Sequence, residues 1–474
     1  MRRITILTVG LLVALGALWV ELSPPHLEVP PQEVSLPEVV IVNPGRERRK
    51  ITRLEVRSGR IAWMGEGGIG PRVDAPDPSR PFAPDTSRYA GAYVLPGLID
   101  MHVHQPPDTP LGDVELAALL FLRHGVTSVR DTGSFDGAIF AERRRIDGGE
   151  IPGPRIFPCG PILDGDPPFW SGSRVVRTAD EGRRAVDELA ALHVSCIKVY
   201  DRISPEALAG IREAADAHEL PVIGHVPHAI PFSAARLDDV QHLTGLVEPG
   251  EKLTEARIRG IVTASAALHV AHTPTLVFLD RVARLTDYRQ AQMAPEAHLL
   301  PRYYREILWN PDNDPRLRGL GAADEASLQE TLRNAKRVVK ALAEAGVEIH
   351  VGTDTMNPFV VPGVSLHQEM WALVDAGLTP EQVWIAATRD AARALRQPTL
   401  GMVRLGAPAD LLIFREDPTV DLNNLQTLEA VVAAGRLYPR EALEEAVARW
   451  QTHFANPVYD AISMRLASWL VPPR

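Results

Sequence analysis

Gly97-Leu98-Ile99-Asp100-Met101-His102-Val103-His104 is the stretch on which the fold turns. Side chains alternate along a strand, so His102 and His104 point the same way. Two imidazoles on one face at the end of a strand make half of a metal site. The apolar residues just before them, Val94, Leu95, Leu98 and Ile99, are those of a strand buried on both faces in a parallel sheet. Alone, the pair could equally be two satisfied core histidines. The rest of the chain separates these readings.

Further apolar runs end near Asp131, Cys159, Tyr200, His225, His242, Thr275 and Asp354. Helical stretches lie between them. Ser204-Pro205-Glu206 and Thr379-Pro380-Glu381 each supply an N-cap, a proline in the first turn and an early acid. Eight such strand–helix units predict an α/β fold, a (β/α)8 TIM-like barrel over residues 94–397, with its chemistry at the C-terminal strand ends. One connection, 278–332, is too long for a plain crossover. It carries Tyr303, Tyr304 and Trp309, and is either a lid over the catalytic face or a helical pair packed on the rim.

The strand ends carry a constellation. In Cys196-Ile197-Lys198-Val199-Tyr200, alternation puts Lys198 inside if Ile197 and Val199 face the helices. A buried, unpaired ammonium is costly, so burial favours the neutral amine. A neutral amine can take up carbon dioxide as a carbamate, whose two oxygens can bridge two metals; pairing with a carboxylate is the alternative. His225 ends Pro221–His225, His242 ends Asp239–His242, and Asp354 ends Val347–Asp354. Neutral imidazoles and carboxylates suit zinc and similar divalent ions. The expected cofactors are therefore two divalent ions, zinc being the ion the donors suit, and carbon dioxide held on Lys198. Such ions would acidify a bridging water and polarise a carbonyl. Asp354 could then take the proton and pass it to the leaving nitrogen.

The chain has 474 residues, 45% of them hydrophobic, and a net charge of −10. Without a long basic block, nucleic acid is not an expected partner. Arg2 and Arg3 precede an uncharged apolar run, Ile4 to Val20, at the short limit for a spanning helix. Residues 1–23 are expected to be a signal anchor or signal peptide. The protein is then exported: membrane-anchored toward the periplasm or cell exterior, or secreted if the segment is cleaved. A Pro-rich linker, 24–37, follows. Short β-like runs in 38–93 and 398–439 predict one small β-sandwich domain built from both ends. The tail, 440–474, is helical. Leu443, Val447, Trp450 and Phe454 share one face; Ile462, Leu466, Trp469 and Leu470 form a second, for packing or membrane contact. Cys159 and Cys196 are the only cysteines, and either pair or stay as buried thiols.

The ordered set resembles the metal-dependent amidohydrolase superfamily. The residues that carry it are Val94–His104, Gly125–Asp131, Gly149–Arg155, Ile197–Tyr200, Gly352–Asp354, Leu378–Glu381 and Ala407–Leu411. Within it, the chain is similar to the branch of imidazolonepropionase-like proteins, Xaa-Pro dipeptidases and related carboxypeptidase-like enzymes. The resemblance implies that His102 and His104 bind one metal, and His225 and His242 the other. It implies Lys198 as the carboxylated bridge, Asp354 as ligand and general base, and Tyr200 as hydrogen-bond donor to the oxyanion. After His225 the branch often has His-Ala-x-Gly, whereas this chain has His225-Val226-Pro227-His228. His228, His272 and His367 are candidates for substrate contact or ordinary histidines.

The function expected is hydrolysis of an amide-type C–N bond in a small or dipeptide-like substrate, a peptide or an N-acyl amino acid, by metal-hydroxide attack. Opening of a lactone, cyclic amide or ester would use the same residues. A catalytically silent extracytoplasmic binding protein is the rival of another class. A homo-oligomer is compatible with all of these.

Overall fold

The computed structural model describes residues 25–65, 86–106, 114–134, 137–314 and 317–471. Two parallel sheets form the centre. One contains Leu98–Val103, Val126–Asp131 and Arg155–Pro158 in that order. The other runs Arg174–Val175, Leu163–Asp164, Ile197–Val199, Val222–Gly224, Asp239–Gln241 and Ala271–Thr273. Every residue of Leu98–Val103 and Val126–Asp131 is buried, because helices cover the sheets from outside. The architecture is mixed α/β and consistent with a TIM barrel.

The run expected as the last strand, Val347–Asp354, differs from a regular ladder. It makes isolated parallel bridges from Ile349 to His272 and from Thr355 to Val103. Met101 N donates to Val351 O at 2.9 Å and His350 N to His272 O at 2.9 Å, so the run lies between the two sheets. Asp354 has φ 67°, and that left-handed turn breaks the pleat just where its carboxylate leaves the sheet.

Helix starts follow the sequence signals. Ser204 Oγ accepts from Ala207 N with Pro205 in the first turn. Thr379 and Gln382 form a capping box ahead of Pro380–Ile385. The helices Ala179–Ala191 and Pro205–Ala217 cross closely at Gly210, where a Cβ would stand 2.1 Å from Ala179 O.

Strands from both ends of the chain share one six-stranded sheet: Arg436–Pro439, Leu428–Ala433, Leu411–Phe414, Tyr93–Pro96, Val39–Ile41 and Arg49–Ile51. A three-stranded sheet, Glu33–Leu36, Arg53–Arg57 and Arg60–Gly65, shares a core with it that includes Leu36, Ile41, Leu54, Val94, Leu411 and Val432. Glu33–Leu36 falls inside the stretch expected to be linker. Alternating Val34 and Leu36 bury against the paired strand and give those four residues a ladder to join.

In the long connection, Tyr303, Tyr304 and Trp309 are buried. Trp309 Nε1 donates to Met356 O at 3.1 Å and its ring lies 5.0 Å from Phe359. These aromatics brace the segment after Asp354. Helices Arg440–Phe454 and Pro457–Leu470 end the described chain. Among the described residues no helix is long and apolar enough to cross a membrane. The apolar run 4–20 lies outside the described residues.

Candidate metal centre

The strand ends converge. Asp354 Oδ1 lies 3.3 Å from His102 Nε2 and 3.2 Å from His104 Nε2, and its Oδ2 lies 3.8 Å from His242 Nδ1. Ligand atoms of His102, His242 and Asp354 all fall within 4.8 Å of one another. The His225 ring is 5.2 Å from that of His242. Lys198 is 1% exposed, and among the described residues its Nζ makes no hydrogen bond or ion pair. The neighbouring strand is placed by Gly224: with φ 145°, a Cβ there would stand 2.0 Å from Val199 O. Only glycine lets the His225 strand approach the Lys198 strand this closely.

Each imidazole is held from behind. His102 Nδ1 meets Gln241 Oε1 at 2.5 Å, and His104 Nδ1 meets Gly133 O at 3.1 Å. His225 Nδ1 meets Asp201 Oδ1 at 2.7 Å, and His242 Nδ1 meets Thr275 Oγ1 at 2.7 Å. Such anchors orient a ring and leave Nε2 to act as a ligand. The Nε2 of His225 is buried with no hydrogen-bond partner, and that of His102 faces only the Asp354 carboxylate at 3.3 Å. Orphaned buried nitrogens are costly, and a cation among them would satisfy both. The donor set therefore fits divalent ions.

Electrostatics agree. Burial pushes His102 down to about 3, with the Lys198 charge adding to it. Burial also lowers His225 and His242, so these rings are neutral donors. Burial lowers Lys198 to about 7, against the pull of Asp354. Burial opposes charge on Asp354, but the rings of His242, His102 and His104 outweigh it and hold the carboxyl well below the usual range. Beneath the site, Arg130 pairs with Asp239 at 2.6 Å, and Asp239 also accepts from Thr273 Oγ1 at 2.8 Å.

Tyr200 stands at the rim. Its ring centre is 4.0 Å from that of His225, and its hydroxyl accepts from Trp170 Nε1 at 3.2 Å. Phe169, 5.7 Å from the Tyr200 ring, extends this aromatic wall.

Six of the residues singled out in the sequence, His102, His104, Lys198, His225, His242 and Asp354, thus gather with Tyr200. Three others do not. His272 points to the helix layer, where Nε2 meets Ser265 Oγ at 2.8 Å; alternation sends Thr273, not His272, inward. His367 packs between helices, with Nε2 against His124 O at 2.8 Å. His228 is exposed, its backbone N donating to Asp201 O at 2.9 Å. The residues missed are the anchors, Asp201, Gln241 and Thr275, and the aromatic pair Phe169-Trp170. Asp201 directly follows Tyr200 and Gln241 directly precedes His242, so adjacency to a strand-end ligand was the available signal. Cys159 and Cys196 form a disulfide, ending the choice between bridge and free thiols.

The sequence profile of the amidohydrolase family matches residues 93–437. A segment of 86 residues is 44% identical to an imidazolonepropionase of Photorhabdus laumondii, covering 18% of this chain and 20% of that protein, so the match spans a fifth of the relative's length. Bottromycin amidohydrolase has a similar structure, with TM-score 0.70 and 24% identity over 92% of this chain and 93% of that one. A Xaa-Pro dipeptidase with methionine bound in its active site gives TM-score 0.61 and 18% identity over 86% and 100%. At these identities the likeness concerns the fold.

Proposed function

The chain belongs to the amidohydrolase family, and from that premise we propose that it is a metal-dependent hydrolase cleaving an amide-type C–N bond, in a peptide or N-acyl amino acid, at a binuclear site. The observation that carries this reading is the convergence of four anchored imidazoles, one buried lysine and one ionised carboxylate. His102 and His104 would hold one ion, His225 and His242 the other, with Asp354 beside the first. Bound divalent ions, zinc by the donor set, would acidify a water and polarise the scissile carbonyl.

The protein's own groups supply the rest. Carbon dioxide taken up by the neutral Lys198 amine would supply an anionic carbamate there, the amine proton passing to solvent water. Asp354 accepts the proton of the attacking water and returns it to the leaving nitrogen. Tyr200 donates to the oxygen that gains charge. Phe169 and Trp170 exclude water from one wall. The substrate class is supported by the dipeptidase fold-neighbour and by an apolar wall suited to a side chain. A cyclic amide, lactone or ester would engage the same groups.

We further propose that the centre is a closed barrel over 94–397, with 38–93 and 398–439 as a small β domain. We also place the protein outside the cytoplasm, tethered through residues 4–20. The Cys159–Cys196 disulfide supports this, since such bridges persist in oxidising compartments.

The test is metal content per chain after purification without chelator and with bicarbonate present, followed by a screen of dipeptides and N-acyl amino acids. Two ions per chain and hydrolysis are expected. Lys198→Ala should lose the second ion and at least about 100-fold in kcat/KM, the scale of one lost ligand or orienting group. A chain that takes up no metal and gains no activity from added ions would make the barrel a silent binding protein.

A further inference from the structure

The last helix, Pro457–Leu470, turns a row of apolar side chains away from the protein. Ser463 and Ala467 bury against the body, and Asp460 pairs with Arg302 at 2.7 Å. On the opposite side Val458, Ile462 and Leu466 are 40%, 41% and 38% exposed, and Trp469 is 87% exposed. At 3.6 residues per turn these four fall within about 80° of one another. No acid lies among them, and Arg465 is exposed at their edge.

Where the chain enters the body bears on what covers this row. Leu27 packs on the main core and His26 Nδ1 lies 2.9 Å from Glu115. Glu115 belongs to helix Val114–Arg123, which packs on helix Arg440–Phe454. That helix leads through Ala455 and Asn456 directly into Pro457–Leu470. The residues between Val20 and Pro25 can reach at most about 18 Å. An anchor at residues 4–20 would therefore hold this side of the molecule near the bilayer.

We propose that helix Pro457–Leu470 lies on the lipid surface, with Val458, Ile462, Leu466 and Trp469 in the interface, as a second membrane contact beside the N-terminal anchor. An apolar stripe with a terminal tryptophan suits the headgroup–acyl boundary. A single tether leaves a body free to rotate; a second contact fixes which face of the barrel looks away from the membrane. The proposal rests on the anchor reading of residues 4–20 and is independent of the hydrolytic chemistry.

The test uses the full chain in vesicles of phosphatidylcholine and phosphatidylglycerol carrying brominated acyl chains. Quenching of tryptophan fluorescence is compared among wild type, Trp19→Phe and Trp469→Phe. Both variants should lose part of the quenched amplitude, Trp469→Phe most clearly with bromines close to the headgroups. Loss with Trp19→Phe but none with Trp469→Phe would leave the anchor standing and overturn the helix contact. A protein that does not float with vesicles would overturn both. Sedimentation of detergent-solubilised protein adds a control: if Ile462→Glu with Leu466→Glu splits a dimer, the row covers a second copy and not lipid. These positions are exposed, so the variants should keep their melting temperature.

Discussion

Asp201 shows how much of a candidate metal centre lies outside its donor residues. Burial alone would raise its carboxyl, yet the His225 ring holds it low and ionised. Its hydrogen bond fixes the His225 tautomer with Nε2 as the lone-pair nitrogen. Asp201→Asn keeps the shape and removes the charge. The expected result is metal affinity about 10- to 100-fold weaker, read by competition with a chelator dye, with the fold's melting temperature little changed in the metal-free protein. Affinity equal to wild type would mean that His225 is not a ligand. Sequence reading singled out the six residues that gather at this site because metal donors need particular residue types. It missed Asp201, Gln241 and Thr275 because any oxygen in the right place can anchor an imidazole. It also admitted His272, whose neighbour Thr273 occupies the inward position.

Among elements, the short strand Ile197–Val199 does the most for the site. The disulfide from Cys196 to Cys159 pins its start, Lys198 projects from its centre, and Tyr200 and Asp201 follow its end. The bridge spans 37 residues. In the chain-entropy view, a loop of that size contributes about 4 kcal/mol. Cys159→Ala with Cys196→Ala should therefore lower stability by an amount of that order, measured as a shift of the denaturant midpoint at constant slope. The double variant should also bind metal less tightly, since the Lys198 strand loses its tie. Cys159 and Cys196 pack with Ile223 in a small buried cluster, and no shift of the midpoint would show that this packing holds the strand unaided. The strands were legible as short apolar runs, and the helix starts from their capping residues, Ser204-Pro205 and Thr379-Pro380. The irregular Ile349–Thr355 run was legible only as apolar, because its bend depends on φ at Asp354 and on contacts to two neighbouring strands.

At the scale of the whole molecule, buried titratable groups set the pH range of the metal-free fold. Burial pushes His102 and His124 to about 3, and His272 and His367 to about 4. In the unfolded chain these rings titrate near about 6.5. The unfolded state thus binds protons that the folded state refuses, so this stability is present above about pH 6.5 and is lost as pH falls below it. Two carboxyls act oppositely. Burial raises Asp100 to about 7 and Glu369 to about 8. For His350, burial is outweighed by Asp239 and Glu348, which raise it to about 8. In these three the folded state holds the extra proton; their contribution is full only below the unfolded values, about 4 for the carboxyls and about 6.5 for His350, and is gone by about pH 7 to 8. Lys198, lowered to about 7 by burial, acts the other way above that pH, since the unfolded chain keeps its proton up to about 10.4. The melting temperature of chelator-treated protein should therefore peak at about pH 6 to 7, falling toward acid and falling toward about pH 8. A melting temperature that climbs steadily from about pH 6.5 to about pH 8 would contradict these assignments.

Local sequence determined which metal-donor residue types stand at the strand ends and which elements present them. Alternation along an apolar strand aims its side chains regardless of what surrounds it, so His102, His104, Lys198, His225, His242 and Asp354 could be named from the chain alone. Tertiary structure alone decided what stands behind them. The anchors on the imidazoles, the pairing of Cys159 with Cys196, the aromatic wall beside Tyr200 and the outward apolar row of the last helix all join segments distant in sequence. Such contacts depend on how strands and helices are brought together, and no local periodicity encodes them.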